Sequence, residues 1–235
     1  MSTLFRIIGP GRAGRAFGEA LEDSGWTSMG FLGRGDDLTD AAHGVDLLVI
    51  ATPDAAISGV AGAVTPSGHA VVAHLAGSLG PAVLAPHPRR AAIHPLVSLP
   101  PGGGVHLKGA WFAVSGDPLA WRVVSDLDGR PLAVADDART SYHAAAVIAS
   151  NHVVALLGQV ERVAATAGVP FEAYLDLARG TLDNVAALGP TAALTGPVAR
   201  GDWATVARHL AVLPVEERAA YQALADQAAR LRPCR

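Results

Sequence analysis

The sequence predicts an α/β fold class: an N-terminal doubly wound sheet over residues 1–135, followed by an all-α C-terminal domain over 136–235. Three observations carry this expectation. Short, almost purely apolar runs alternate with helical segments through the first part of the chain, as in parallel strands covered on both faces. The first of these runs ends in a glycine-rich turn, Gly9-Pro10-Gly11-Arg12-Ala13-Gly14. From Asp136 onward, long Ala/Leu/Val segments are interrupted only at Gly168-Val169-Pro170, Gly189-Pro190 and Pro214, the pattern of helices separated by breakers.

Taken in order, Leu4 to Ile8 is an apolar run that stops at glycine, and Ala13 to Ser24 then carries Ala16, Phe17, Ala20 and Leu21 at helical spacing. A second strand, Ser28 to Leu32, ends at Gly33-Arg34, and a third, Asp46 to Thr52, is nearly all apolar. This is a βαβ start. Further runs at Ala70 to His74, Ala91 to Ile93, Trp111 to Val114 and Pro131 to Val134 extend the sheet. The helical segments are 136–167, 171–188, 202–212 and 215–231. There is no repeat of fixed period and no low-complexity linker, so the first long helix is expected to follow the sheet directly.

Composition narrows the function classes. A chain of 235 residues, half apolar and only 17% charged, can bury one large core or two unequal ones. Its net charge of −3, with no Lys/Arg run interleaved with aromatics, argues against a nucleic-acid partner. The single cysteine, Cys234, excludes an intramolecular disulfide and a cysteine zinc cage and fits a reducing, cytoplasmic setting. The start of the chain lacks a signal-peptide plan, and no uninterrupted apolar stretch reaches the roughly 20 residues that span a bilayer, so no membrane insertion is expected.

The turn after the first strand is a G-x-G-x-x-G placed where a strand ends and a helix begins. Gly9 permits the tight turn, Gly11 lets the backbone approach a pyrophosphate, and Gly14 lets helix and strand pack closely, while the helix N-terminus offers N–H groups to the anion. With the next strand ending about 20 residues later, this is the Rossmann dinucleotide-binding arrangement. Where an NAD site would present an acidic residue to the ribose, this chain has Arg34, which suits the 2′-phosphate of NADP(H); a solvated arginine is the plainer alternative, and Asp36 and Asp37 could weaken the preference. Thr52 and Pro53, at the end of the third strand, are expected beside the nicotinamide ribose. Pro53 and Asp54 equally suit a helix start.

Two more segments fall at predicted strand ends on the same edge, His74-Leu75-Ala76-Gly77-Ser78 and His94-Pro95-Leu96-Val97-Ser98. A histidine there can donate a proton to a carbonyl or imine as hydride arrives, because its ordinary pKa already suits neutrality. His94 is the first candidate for that role and Ser78 a substrate-orienting hydroxyl, although a histidine before proline also serves as a turn cap. In the helical part, His143 and Ser150 fall on one stripe of a continuous α-helix with Asn151 at its margin; they would hold a substrate or bond between helices. Near the end, Arg200 could clamp a substrate carboxylate, and Asp202 has the place of an N-cap for a helix starting at Trp203. Lys108, the only lysine in the chain, is expected to be solvated.

Together, Gly9-Pro10-Gly11-Arg12-Ala13-Gly14, Ala51-Thr52-Pro53-Asp54, His94-Pro95-Leu96, the Tyr142-His143 to Ser150-Asn151 helix and the Leu194-Thr195-Gly196-Pro197 to Arg200-Gly201-Asp202 segment resemble one bacterial family. That family pairs a Rossmann-like NADP-binding domain with a helical domain of unknown function, within the 6-phosphogluconate dehydrogenase-like superfamily. Relatives there include ketopantoate reductase, pyrroline-5-carboxylate reductase and prephenate dehydrogenase, which move hydride to or from NAD(P). The resemblance implies the fold, the cofactor, a homodimer made by the helical domain and a catalytic role for His94, since its His-Pro segment looks like that of prephenate dehydrogenases. It departs in one place: Val147, not lysine, stands four residues before Asn151. The expectation is an NADPH-dependent reductase of a small carboxylated ketone or imine, ketopantoate-reductase-like, acting in the cleft between its domains. The alternative is a non-catalytic dimeric NADP(H)-binding sensor or partner-docking protein.

Overall fold

In a computed structural model, the structure describes residues 2–100 and 107–232; Cys234 lies outside them. The backbone groups into two compact units, Met1–Ser150 and Asn151–Arg235. The first holds a seven-stranded sheet of β1 (Leu4–Ile8), β2 (Thr27–Leu32), β3 (Leu47–Ile50), β4 (Val71–His74), β5 (Arg90–Pro95), β6 (Trp111–Gly116) and β7 (Arg130–Ala133), in the order β2-β1-β3-β4-β5-β6-β7. Strands β1 to β5 are mutually parallel, as the unbroken apolar runs predict. Strand β6 pairs antiparallel with β5, and β7 pairs parallel with β6, so the last two strands run against the rest. The periodicity gave no sign of this reversal. A parallel return to the sheet needs a crossover connection, usually a helix, whereas an antiparallel neighbour does not.

Side-chain alternation builds a core on each face. Phe5, Ile7, Leu47, Val49, Val71 and Ala73 meet Phe17 and Leu21 of α1 (Arg12–Asp23) and Val123 and Val124 of α3 (Leu119–Asp126). On the other face Ile8, Leu48, Ile50 and Val72 meet Ile57 and Ala61 of α2 (Ile57–Ala63) and Leu84. The crossover through α1 runs from β1 outward to β2 on one face and that through α2 runs from β3 the other way to β4 on the opposite face, which puts the topological switch between β1 and β3. Ile8 is in register with Leu32 and Ile50, and Ile50 with His74. The loops after four strands therefore leave the sheet along one carboxyl edge.

The sheet unit continues past residue 135 through the 3₁₀ turn Asp136–Ala138, α4 (Arg139–Val147) and part of a π-helical turn, Ile148–His152. Arg139 and Tyr142 bond to β6 and β5, respectively, which is why the unit extends to Ser150. The second unit consists of α5 (Val153–Thr166), α6 (Phe171–Leu188), α7 (Pro190–Ala193), α8 (Gly196–Arg200), α9 (Trp203–Val212) and α10 (Val215–Arg230). Asp202 caps α9 as expected, accepting from Thr205 N at 3.0 Å. The buried centre of this unit is small: Val198, Val206 and Ala225, with Leu210 and Tyr221 against them. The run Asp136–Thr166 is long and apolar enough to cross a membrane by length and composition alone, a test that the count of uninterrupted apolar residues did not anticipate because polar residues such as Ser150 and Asn151 are averaged into it.

A β-carbon on Gly14 would lie 2.1 Å from the Gly9 carbonyl oxygen and 3.2 Å from Ala51 Cβ. Gly14→Ala is therefore expected to destabilise the sheet unit by about 3 kcal/mol or more, read as a lower midpoint in thermal or urea unfolding.

Candidate active site

The carboxyl edge begins with the turn between β1 and α1. Gly9 has φ +104°, and a Cβ there would meet the Ala51 carbonyl oxygen at 2.7 Å; Gly9 and Gly14 are thus required by the chain's own packing. Gly11 differs. It sits at the N-cap of α1 with extended backbone, and a Cβ added to it meets no heavy atom within 4 Å. The space in front of Gly11 is open, and the helix start has no side-chain cap and no acidic residue in its first turn. An anion would complete this terminus. Pro10, Arg12 and Ala13 frame it, with Arg12 Nη1 donating to the Leu99 carbonyl at 3.1 Å and Arg15 Nε to the Pro10 carbonyl at 2.9 Å.

Arg34 is exposed just past the end of β2. The two nearby aspartates are occupied by backbone: Asp36 Oδ2 accepts from Gly33 N at 2.7 Å, and Asp37 Oδ1 from Thr39 N at 2.9 Å. They shape the loop that presents Arg34. At the end of β3, Thr52 Oγ1 is buried without a hydrogen-bond partner, and Pro53 is exposed before the 3₁₀ turn Asp54–Ala56. An unpaired buried hydroxyl beside an open helix terminus is the kind of group that a ribose oxygen satisfies. The residues at this edge fit a dinucleotide.

Toward β4 and β5 the edge becomes a polar cluster. His74 is buried and structural: its Nδ1 accepts from Ala76 N at 3.2 Å, which leaves Nε2 to donate to the Gly80 carbonyl at 3.2 Å. Ser78 Oγ donates to Asp54 Oδ2 at 3.0 Å, tying the β4 loop to the β3 loop. His94 Nδ1 meets Tyr142 Oη at 2.7 Å, and its ring lies edge-on to those of Tyr142 and His143. His143 Nδ1 is buried with no partner. Both histidines crowd Gly77, where a Cβ would lie 2.4 Å from His143 Nδ1 and 2.9 Å from His94 Nε2.

The structure thus brings together Ser78, His94 and His143, and adds Tyr142 and Gly77, which the sequence did not single out as site residues. Ser150 Oγ donates back to the Ala146 carbonyl at 2.7 Å. Ser150 and Asn151 both lie in the π turn, so the α-helical stripe arithmetic that joined them to His143 does not hold there. Asn151 has a polar partner of its own. Arg200 is exposed in the last turn of α8, in the second unit. Lys108 is solvated and paired with Asp128 at 2.8 Å.

The environment also changes the chemistry expected of His94. Burial first, then the neighbouring His143 and Arg139, lower its pKa to about 4. It is neutral at neutral pH and acts as a hydrogen-bonding imidazole rather than as an imidazolium acid. Burial raises the pKa of Tyr142, which keeps its hydroxyl protonated. Because the unfolded state binds the His94 proton below about pH 6.5 and the folded state only near 4, stability should rise with pH across that window and be lost as pH falls through it. His94→Asn should remove most of the rise of unfolding free energy between pH 4 and 6.5, about 3 kcal/mol in all at about 1.4 kcal/mol per pH unit, measured by urea titration.

The fold is shared by solved enzymes over nearly their whole length. A candidate NADP oxidoreductase from Bacteroides fragilis matches with a TM-score of 0.82 at 20% identity, over 97% of this chain and 98% of its own. A reductive aminase from Aspergillus terreus, in complex with NADPH4, cyclohexanone and allyl amine, matches with a TM-score of 0.68 at 19% identity, over 98% and 94%. A 1-pyrroline-5-carboxylate reductase from Streptococcus pyogenes gives 0.63 at 13%, over 97% and 99%. No curated protein matches in sequence. The doubly wound sheet with its helical C-terminal part is therefore a fold shared with these oxidoreductases. Residues 111–228, from β6 through most of α10, match the domain of unknown function DUF2520, and the chain belongs to that family.

Proposed function

We propose that the protein is an NADPH-dependent reductase of a small carboxylated ketone or imine, ketopantoate-reductase-like in its substrate. One observation carries the reading: the open helix terminus at Gly11 and the His94–Tyr142 pair stand on the same sheet edge, at the ends of β1 and β5. Three strand spacings separate them, about 14 Å, a span suited to an extended dinucleotide with its reactive end near β4. NADPH, when bound, supplies the hydride. Backbone from Gly9 to Gly14 would hold its pyrophosphate, Arg34 its 2′-phosphate, and Thr52 and Pro53 the nicotinamide ribose.

In this reading neutral His94 polarises the substrate oxygen or nitrogen through Nε2–H, as Tyr142 donates into Nδ1. A neutral imidazole can act in this way as an electrophile. Ser78 and His143 orient the substrate. Tyr142 takes the place of the lysine missing at Val147 as the proton-holding group on the helix. That missing lysine is also what favours the second reading, a dimeric NADP(H) sensor without turnover.

The reading includes a cytoplasmic homodimer. Its support is α6, in which no residue is buried although Leu177, Leu182 and Leu188 are apolar and 60–66% exposed. A second copy covering this face would remove that apolar area from water. Sedimentation should give twice the chain mass, and Leu177→Glu with Leu182→Glu should reduce it to the monomer.

Purified protein should oxidise NADPH with a member of a panel of ketopantoate, pyrroline-5-carboxylate and other small oxo acids. Tight NADPH binding without turnover across the panel would favour the sensor, and no binding would overturn both readings. Gly11→Ala should leave the melting temperature nearly unchanged and weaken NADPH binding about tenfold. Arg34→Ala should remove most of the preference for NADPH over NADH, a loss of order tenfold or more. Tyr142→Phe and His94→Asn should each lower kcat about 100-fold while the NADPH Kd by calorimetry stays the same.

A further inference from the structure

Arg139 opens α4 and is 0% exposed. Its Nη2 donates to Ser115 Oγ at 2.8 Å, and its Nε stands 4.0 Å from Asp136 Oδ1, beyond hydrogen-bond reach. Nε and Nη1 have no hydrogen-bond partner. A guanidinium carries five donors, and burying it with so few satisfied costs stability; apolar residues in place of buried charges are often neutral or better. Folding alone gives no reason for an arginine here.

Its position supplies one. Tyr142 and His143 stand three and four residues along α4 from Arg139, so the three side chains leave one face of the helix. Tyr142 Oη meets His94 Nδ1 on β5 at 2.7 Å, while Arg139 meets Ser115 on β6, the residue paired with Ala92 two places before His94. The helix is pinned to the same strand pair at two points one turn apart. The charged and titratable groups facing His94 are Arg139, Tyr142 and His143 from α4, His74 from β4 and Asp54 after β3. Asp54 alone is acidic, and it is already engaged by Ser78.

We propose that Arg139 is a positioning residue that fixes the direction of the His94–Tyr142 hydrogen bond, the tyrosine hydroxyl donating into Nδ1 and leaving Nε2–H toward the substrate. A fixed positive charge opposes protonation of the imidazole. The same charge stabilises negative character on the tyrosine oxygen and so strengthens its hydroxyl as a donor. Both effects act in one direction, in line with the lowering that Arg139 exerts on His94 and on Tyr142. The bond to Ser115 keeps the charge in place. The assignment rests on the reductase reading for its purpose, but the direction of the bond can be read without turnover.

The test is nitrogen-15 NMR of the histidine rings in the full chain, with the His94 signals assigned from His94→Asn. In the wild type, His94 should be the Nε2–H tautomer and titrate near 4. In Arg139→Met, which removes an under-paired charge and should fold, the tautomers should mix and the midpoint should rise by about half a pH unit or more. Arg139→Lys should restore both, and Ser115→Ala should give the same change at smaller size. Unchanged His94 signals in folded Arg139→Met, or in Ser115→Ala if that variant alone folds, would overturn the proposal, as would a lowered melting temperature with no change at His94. If His94 responds as expected but no panel substrate is turned over, the reductase reading fails and the hydrogen-bond assignment stands.

Discussion

The contact on which the site depends is between backbone atoms: the start of α1 lies against the end of β1 with no room for a β-carbon at Gly14, and Gly9 has no room for one against the Ala51 carbonyl just past β3. Apolar side chains hold the sheet together, as they do in any sheet covered on both faces. This contact decides where the first helix begins relative to the two central strands. Three chain segments meet there at the point where crossovers diverge to opposite faces. The opening at Gly11 is a consequence, since Gly9 and Gly14 draw the turn inward on either side and leave Gly11 at the N-cap facing open space. The same residues thus serve the fold and leave a helix terminus for an anion.

Farther along the edge the logic is electrostatic. Across β4 and β5 the chain buries His74 and Arg139 fully and His94, Tyr142 and His143 in part, where charged forms are disfavoured and unsatisfied donors are costly. His74 shows how such a group becomes inert, with both ring nitrogens bonded to local backbone. His94 and His143 are not closed off in that way. His94 has one nitrogen on a tyrosine hydroxyl, and its other nitrogen shares the crowding at Gly77 with the unpaired Nδ1 of His143. The groups left without local backbone partners at this edge are the ones to which the proposed chemistry is assigned.

The difference between what could and could not be read in the sequence follows the range of the interactions. Strands β1 to β5, α1, the glycine turn before it and the cap at Asp202 depend on residues within one or two turns of chain, and periodicity and turn chemistry identify them. The reversal at β6 depends on how the strands pair, which periodicity does not encode. Arg139 follows Asp136-Asp137-Ala138 at a helix start and looks there like a solvated charge; its burial is decided by Ser115, 24 residues away. Tyr142 was visible only as the neighbour of His143, because its partner His94 is 48 residues distant. The low pKa of His94 has the same origin, since it comes from packing by other elements. The π turn at Ile148–His152 carries no composition signal that separates it from α-helix, so the stripe joining His143, Ser150 and Asn151 was drawn on the wrong helical geometry.

The two units differ in how much of their own apolar surface they bury. In the first, each face of the sheet has a full set of buried side chains. In the second, the buried cluster is Val198, Val206 and Ala225, with Ala164 and Leu213 buried outside it, while Leu177, Leu182, Val212 and Val215 remain exposed. An amphipathic helix owes most of its stability to what its apolar face packs against, and α6, with 18 residues and none buried, lacks that support within its own unit. Exposed apolar surface on this scale lowers solubility unless something covers it. A second copy of the chain is always present at the same concentration and offers the same face, and a two-fold interface needs only that the face be self-complementary. On this argument the proposed ligand belongs to the sheet unit, whose faces are already filled, and the proposed self-association to the helical unit, whose apolar side chains are not.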